Sequence, residues 1–206
     1  MTSRDFLIFS KLNSFYPEKI SFLPVKSPFI FLVTVMLSAS STDIRASAAA
    51  DRLFFAFPDE KSLAGAKIEE IEKIIHDVGL SWSKAKNIKL TAQKIAENGL
   101  PTTMDELVEL PGVGEKTASC YLATILGESA VIADTHFVRV AERLGFTTTK
   151  DRTIAARQIR EKFDREYWTR LSMTVNKHGR DICRPKPKCA ECFLSSICPS
   201  SEISVE

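Results

Sequence analysis

Apolar residues along this chain recur three or four positions apart, which is the spacing of a helix with one buried face. One such stripe ends at Gly79, which we expect to cap the C-terminal end of its helix. It consists of Ile68, Ile71, Ile74, Ile75 and Val78. A second helix is predicted over residues 83–98 and should end at Gly99. Since the sequence contains no alternating pattern of strand length and no internal repeat, we predict an all-α fold.

A glycine-containing turn separates two further predicted helices. Thr103 and Glu106 have the spacing of a capping box at the start of a short helix. Pro111 should end that helix, because proline cannot continue the backbone hydrogen-bond ladder. A partner helix is predicted over residues 115–126. Residues 103–126 are therefore expected to form two helices joined by a hairpin.

The hairpin sequence, LPGVGEKTA at residues 110–118, combines an anion site with a candidate nucleophile. Gly112 and Gly114 can adopt backbone angles that other residues resist, so the amides of Gly112, Val113 and Gly114 are expected to point outward together toward a phosphate. Lys116 lies in the first turn of the second helix, where the positive end of the helix dipole favours the neutral amine that a nucleophile needs. An ordinary corner with a solvated lysine explains these residues equally well.

Composition sets the broad class of the protein. With 206 residues and 44% hydrophobic content, the chain can bury one large core or two smaller ones. A domain boundary is predicted near residue 128, just after Gly127. The longest apolar run, residues 28–39, is too short to span a bilayer and predicts a buried helix. We therefore expect no membrane association and an intracellular location, which would be the cytoplasm or nucleoid if the organism is a prokaryote.

Four of the five cysteines crowd the C-terminal part of the chain. Cys183, Cys189, Cys192 and Cys198 have the spacing C-x5-C-x2-C-x5-C, and residues 183–198 are called the cysteine loop below. Inside a cell such thiols favour metal ligation over disulfides. Zinc sites usually pair two C-x2-C units, whereas only one is present here, so the spacing favours a [4Fe–4S] cluster over zinc.

Basic residues lie within the cysteine loop. Arg184, Lys186 and Lys188 are interspersed with Pro185 and Pro187, which stiffen the spacer. Four thiolates around an iron–sulfur core leave a net negative site, so these cations can balance it; a stiff loop can also present them to DNA phosphates. The net charge of +2 does not distinguish the two roles, which remain compatible.

Three motifs of this sequence, in their order along the chain, resemble the endonuclease III family of DNA repair glycosylases, in the helix-hairpin-helix superfamily. They are the hairpin with its lysine, the stretch VIADTHFVRV and the cysteine loop. LSASSTD at residues 37–43 and GLSWSKA at residues 79–85 add to the resemblance, which runs from about residue 28 to residue 198. It implies a six-helix domain over residues 22–128, with a helix-hairpin-helix motif at about 103–126. It also implies a second domain of residues 1–21 plus 129–206 around a [4Fe–4S] cluster, with the active cleft between the two.

The resemblance also implies the chemistry. Lys116 takes the place of the family's catalytic lysine and Asp134 that of its catalytic aspartate, although Asp134 also fits a helix N-cap. The carboxylate would stabilise positive charge on the sugar while the amine attacks the anomeric carbon. The resulting Schiff base allows strand cutting by β-elimination. A monomeric DNA glycosylase and AP lyase of base excision repair, acting on damaged double-stranded DNA, is therefore expected.

The sequence departs from the family pattern at positions that concern the substrate and in the cysteine loop. The target nucleotide must be flipped out of the duplex, and the family fills the gap with a leucine, here Leu80, and usually a glutamine, here Ser40. Leu80 also fits a core residue that follows a helix cap. Ser81 and Trp82 replace the family's tyrosine and asparagine, and the first cysteine spacer has five residues instead of six.

Three functions are compared on these grounds. Excision of oxidised pyrimidines is favoured, because the chain has both the hairpin lysine and the cysteine loop. A uracil or thymine mismatch glycosylase is second, and a non-catalytic iron–sulfur DNA-binding module is third. His136, next to Asp134, is expected to pack or cap rather than to act as a base.

Overall fold

The computed structural model describes residues 1–201, and in that part of the chain every regular element is helical. This confirms the all-α prediction. The α-helices of the described residues are α1 Ser3–Phe15, α2 Pro28–Ser38, α3 Asp43–Ala56, α4 Glu60–Gly65, α5 Ile68–Ile74, α6 Ser81–Asn98, α7 Met104–Val108, α8 Glu115–Tyr121, α9 Thr135–Arg143, α10 Arg152–Lys162 and α11 Trp168–Asp181. No helix among them is both long and apolar enough to cross a membrane.

The chain divides into two compact units. Unit A, as we call it, is Phe22–Glu128 and contains α2 to α8. Unit B is Met1–Ser21 with Ser129–Glu206 and contains α1 and α9 to α11; its residues 202–206 lie outside the described part. Each unit has its own cluster of buried apolar side chains.

The core of unit A is built around α2. Ser27 caps the start of this helix by accepting a hydrogen bond from the Ile30 amide, and Pro28 occupies its first position, where proline is tolerated. Every residue from Phe31 to Leu37 is buried, because α3, α6 and α8 all pack against the helix. The apolar run is therefore a buried helix, as its length predicted.

The first helix of the hairpin begins as the sequence predicts, whereas the second differs from the prediction at its C-terminal end. Thr103 accepts from the Glu106 amide, and the Glu106 carboxylate accepts from the Thr103 amide, which is the predicted capping box. The partner helix, expected to be α-helical to residue 126, changes instead to a π-helical turn at Leu122–Leu126. The wider turn ends at Gly127, which adopts a φ of +70°.

The prediction that Gly79 caps a helix is wrong. Helix α5 ends at Ile74, with Ile75 as its C-cap, and Gly79 lies four residues beyond that cap. Leu80, not Gly79, has the left-handed backbone, and α6 then begins at Ser81, two residues earlier than expected. The glycine is required for a different reason, a close approach to Ser40 that is described below.

The core of unit B is formed by α1, α9 and α11. Its fully buried apolar side chains include Ile8, Leu12, Phe137, Val140, Leu171 and Val175. Beyond α11 the chain turns without a further α-helix in the described residues, and within the cysteine loop Leu194 is the one buried apolar side chain. The loop is attached to the core of unit B at this point, because Leu194 is buried in that core and Phe193, Ile197 and three of the four cysteines of the loop pack against it.

Candidate active site and cysteine loop

The hairpin is a tight turn in which one glycine has an unusual backbone. Gly112 adopts a φ of +78°, which favours glycine, whereas Gly114 has a φ of −96° that any residue can adopt. The Val113 amide donates to the Leu110 carbonyl at 3.0 Å. The expectation that three successive amides point outward is therefore corrected. Of these three amides, only those of Gly112 and Gly114 lack an acceptor within residues 1–201.

Helix α6 supports the hairpin through polar side chains that the sequence did not single out. The Thr91 hydroxyl donates to the Pro111 carbonyl at 2.9 Å, and the Lys94 ammonium donates to the Glu109 carbonyl at 3.0 Å. Asn87 packs so closely on Gly112 that a Cβ there would lie 2.8 Å from the Asn87 amide nitrogen. Asn87, Thr91 and Lys94 are three or four positions apart, so they lie on one face of a helix. This spacing is the sequence signal from which a shared polar role could have been predicted.

Lys116 is the second residue of α8 and is half-buried. The residues that follow it, Thr117, Ala118 and Ser119, are buried and anchor this turn in the core of unit A. In the part of the chain that the structure describes, the Lys116 ammonium forms neither a hydrogen bond nor an ion pair. Its amine is thus held on a rigid element and uncommitted to another protein group, as a nucleophile requires.

Ser40 and Leu80 are the two non-glycine residues with a positive φ in the described chain, at 54° and 60°. Leu80 is 71% exposed, so the alternative that it is a core residue is wrong. The structure brings the two turns together, since a Cβ on Gly79 would lie 2.6 Å from the Ser40 carbonyl oxygen. Left-handed backbone at non-glycine residues is strained and concentrates at functional sites.

A buried lysine holds the turn that carries Ser40. The Lys84 ammonium donates to the carbonyl oxygens of Leu37 at 2.7 Å and of Ala39 at 2.5 Å, at the end of α2. Burial lowers the pKa of Lys84. Two carbonyls that the helix itself leaves unpaired are satisfied in this way. The sequence did not reveal this role, because a lysine within GLSWSKA is as consistent with a solvated side chain.

Asp134 is the N-cap of α9, as its sequence context predicted. One carboxylate oxygen accepts a hydrogen bond from the Phe137 amide at 2.8 Å, and the other accepts from the side-chain amide of Asn176 at 2.5 Å. His136 lies 3.3 Å from the Arg139 guanidinium. Burial is the largest cause that lowers the pKa of His136, and the cations of Arg180 and Arg139 lower it further. The neutral ring packs there, as expected.

The four cysteines of the loop are half-buried and line one cavity. Leu144, His178 and Leu194 also line this cavity. Burial raises the pKa of both the Cys192 and the Cys198 thiols, and their sulfur neighbours raise it further. Within residues 1–201, no three side chains of ligand type converge closely enough to hold a single metal ion.

Cationic and neutral donors surround the sulfur atoms. Arg143 donates to the Cys183 sulfur at 3.4 Å and to the carbonyls of Arg184 at 2.7 Å and Pro185 at 2.9 Å. The His178 ring lies 3.6 Å from the Cys192 sulfur, and burial lowers the pKa of His178 to about 4, so the ring is neutral at neutral pH. Four thiols with such donors around them suit a soft, electron-rich metal centre.

The basic residues of the loop are all exposed but differ in their partners. Lys188 pairs with Glu191 at 3.1 Å, and the Arg184 guanidinium donates to the Arg180 carbonyl at 3.0 Å. Among the three, and within the described residues, Lys186 alone has an uncommitted side chain. Their contact with DNA remains a prediction.

Comparison with known proteins first identifies the class. A family model described as HhH-GPD superfamily base excision DNA repair protein matches residues 33–165. Endonuclease III of Synechocystis sp. is 38% identical over 198 residues, which cover 94% of this chain and 90% of the relative. Endonuclease III of Bacillus subtilis is 34% identical over 193 residues, 91% of this chain and 88% of the relative. The chain therefore belongs to the endonuclease III family of this superfamily.

Solved structures agree with this assignment. The chain is similar to a trapped endonuclease III–DNA covalent intermediate with an estranged adenine, at a TM-score of 0.91 and 29% identity, with 98% of each chain covered. A thermostable thymine-DNA glycosylase has a TM-score of 0.80 at 21% identity, with 97% of each chain covered, and shares the fold.

Proposed function

We propose that this protein removes oxidised pyrimidines from damaged double-stranded DNA and then cuts the strand, with Lys116 as the nucleophile. As a member of the endonuclease III family, the chain is a DNA glycosylase and AP lyase of base excision repair. The observation that carries the residue assignment is the uncommitted amine of Lys116 in the first turn of α8. DNA as substrate is consistent with an intracellular site of action, which would be the cytoplasm or nucleoid if the organism is a prokaryote.

The reaction uses two side chains in different roles. As the glycosidic bond breaks, the Asp134 carboxylate stabilises positive charge on the sugar. The neutral Lys116 amine attacks the anomeric carbon as the glycosidic bond breaks, and the base leaves with the bonding electrons. The attached nitrogen loses a proton, the bond between the anomeric carbon and the ring oxygen breaks, and the oxygen takes up a proton and stays on the sugar as a hydroxyl, which gives a protonated Schiff base. The Schiff base acidifies the adjacent carbon of the sugar, so that a proton is lost there and the 3′ phosphate leaves by β-elimination.

Access to the anomeric carbon requires base flipping. Leu80, exposed on a strained turn, is suited to enter the gap in the base stack, and Ser40 on the adjoining turn is suited to face the opposite strand. The two free amides of the hairpin, at Gly112 and Gly114, provide donors for a backbone phosphate. Val113 lies between them, but its amide donates to the Leu110 carbonyl and its side chain is buried, so it is not proposed as a phosphate donor. Because serine is shorter than the family's usual glutamine, we expect the preference for the opposite base to differ from that of the family.

The cysteine loop is proposed to hold a [4Fe–4S] cluster through Cys183, Cys189, Cys192 and Cys198. The support is the donor set itself: four half-buried thiols that line one cavity, with the Arg143 guanidinium donating to one of them. When bound, the cluster would supply a soft metal centre for the four thiolates and would add to the limited apolar burial of the loop. Arg184, Lys186 and Lys188 then lie on a stiff surface segment able to meet DNA phosphates.

Borohydride trapping tests the proposal. The purified protein should form a reduced covalent complex with a duplex that carries thymine glycol, and Lys116→Gln should not. A duplex panel with thymine glycol, uracil opposite guanine and thymine opposite guanine ranks the substrates, and faster release of uracil or thymine would replace the oxidised-pyrimidine assignment. Trapping by Lys116→Gln would overturn the nucleophile. No base release from any duplex by the iron-loaded protein would favour a binding module. A monomer is expected, and sedimentation of the free protein measures it.

A further inference from the structure

The Asp134 carboxylate is held at both of its oxygens. The N-cap bond to the Phe137 amide fixes one oxygen and therefore the direction of the side chain. It does not fix rotation of the carboxylate plane about that direction. The second oxygen accepts from the Asn176 side-chain amide at 2.5 Å, and two fixed oxygens define the plane.

Asn176 is itself immobilised from its other end. Its side-chain oxygen accepts from the Arg180 Nε at 2.7 Å, one helical turn further along α11. The residue is only 4% exposed, so water does not compete for either bond. The cation on one side and the anion on the other also set the orientation of the amide, with its nitrogen toward Asp134, and strengthen both bonds.

We infer that Asn176 is a positioning residue for base release, because it holds the plane of the Asp134 carboxylate for the charge that develops on the sugar. This inference rests on the proposed function of Asp134. A carboxylate stabilises a transition state best when its oxygens are fixed before the reaction, since no reorganisation is then needed. Asn176 touches no reacting atom and acts through Asp134 alone.

The test compares variants of the iron-loaded, full-length protein in single-turnover release of thymine glycol. Asn176→Leu keeps the side-chain size and removes the amide, and we expect the rate to fall by about tenfold to a hundredfold, as expected for a misplaced catalytic group. The substrate concentration at half-maximal rate should change by less than about twofold, since the contacts that bind the DNA before the reaction are unchanged. Asn176→Ser, which the buried site accommodates readily, should show the same split if the leucine variant folds poorly.

Thr174→Val is the matched control. Thr174 is also buried on α11, but its hydroxyl donates only to carbonyls of the same helix, those of Arg170 and Leu171. Loss of this hydroxyl should alter stability to a similar extent and leave the rate of base release unchanged. An equal loss of rate in the control would mean that any perturbation of α11 suffices, and would overturn the inference.

A double-mutant cycle separates positioning from a merely structural role. If Asn176 acts through Asp134, then Asn176→Leu should have no further effect on the rate in an Asp134→Asn background. Additive losses, or a normal rate for both Asn176 variants, would overturn the inference while leaving the proposed function intact. A normal rate of base release by Asp134→Asn alone would instead overturn the proposed role of Asp134, and the inference with it.

Discussion

Unit A and the cysteine loop of unit B are held together in opposite ways. In unit A a continuous apolar core surrounds α2, and the candidate DNA contacts lie on strained, exposed turns above it. In the cysteine loop Leu194 is the one buried apolar side chain among the described residues. The loop is held by partly buried contacts, such as the stacking of Phe193 on Phe15 at 4.0 Å, by Arg143 and by its own turns. A core that surrounds an element can support backbone strain, whereas a loop that contacts a core only at its edge depends more on its polar partners and on what its thiols bind.

This difference predicts that substitutions in the two regions have different effects on activity and on stability. Changes at the candidate catalytic and DNA-contact residues of unit A should alter the reaction and spare the fold, because those side chains contribute little burial. Changes at the thiols of unit B should alter the fold of that unit first, because metal binding there is coupled to folding.

The largest effect is expected for Lys116→Gln. Borohydride trapping and strand cutting should be lost entirely, by about a thousandfold or more, because the nucleophile is gone. Unfolding by urea should change by only about 0.5 kcal/mol, since the side chain is half-exposed and has no partner among residues 1–201. Lys61→Gln, an exposed lysine of α4, is the control and should trap normally. A Lys116→Gln protein that unfolds much more readily than the wild type would contradict the predicted difference between the two regions.

Removal of a cluster ligand should come next. Cys189→Ser should lose the visible absorption of an iron–sulfur centre and destabilise unit B by roughly 3 kcal/mol or more. Cys120→Ser, a partly buried cysteine of unit A, should keep both the absorption and the iron content. Metal analysis gives the decisive readout: four irons per chain are expected, and stoichiometric zinc in their place would refute the cluster.

Lys84→Met should have an intermediate effect within unit A. The carbonyls of Leu37 and Ala39 lose their donor, which should lower the free energy of unfolding by about 1–3 kcal/mol. Base release should fall too, because the turn that carries Ser40 is no longer held. Lys86→Met, at an exposed position of the same helix, is the matched control. Unchanged base release in Lys84→Met would show that the turn does not need this support.

The pH dependence of the same pair provides a second measurement. Burial lowers the pKa of Lys84 in the folded protein, so in the alkaline range below the ordinary lysine pKa the unfolded chain binds more protons than the folded one. The wild-type free energy of unfolding therefore gains a positive contribution as pH rises through that range, and Lys84→Met lacks it. A difference between the two proteins that stays constant or shrinks with rising pH would contradict the burial of a charged amine.

The smallest effect on stability is expected for Leu80→Gly. Glycine accepts a φ of 60° without strain, so the free energy of unfolding should rise by about 0.5 kcal/mol or less. Base release from duplex DNA should nevertheless decrease, because the apolar wedge is gone, while release from single-stranded DNA should not. Phe55→Ala, at a 93% exposed side chain on α3, is the control and should change neither. Equal losses on both kinds of DNA would argue against a wedge.

Local patterns predicted much of the fold. The capping box at Thr103 and the N-cap at Asp134 depend on residues within one helical turn of each other, and the apolar run of α2 lies within a single continuous helix. All three are present. Gly79 was misread because its role is not local: the glycine is needed where a carbonyl 39 residues earlier in the chain approaches it, since Ser40 lies against it. Nothing in the sequence around Gly79 encodes that approach.

The sequence by itself determined the helical class, the cysteine spacing and the lysine at the start of α8, because each depends on residue type and short-range spacing. Only the tertiary structure decided that Leu80 is exposed on a strained turn beside Ser40, that Lys84 is buried against the end of α2, and that Asn176 holds Asp134. These contacts join residues that are tens of positions apart. Packing of whole helices creates them, and no spacing rule reaches that far.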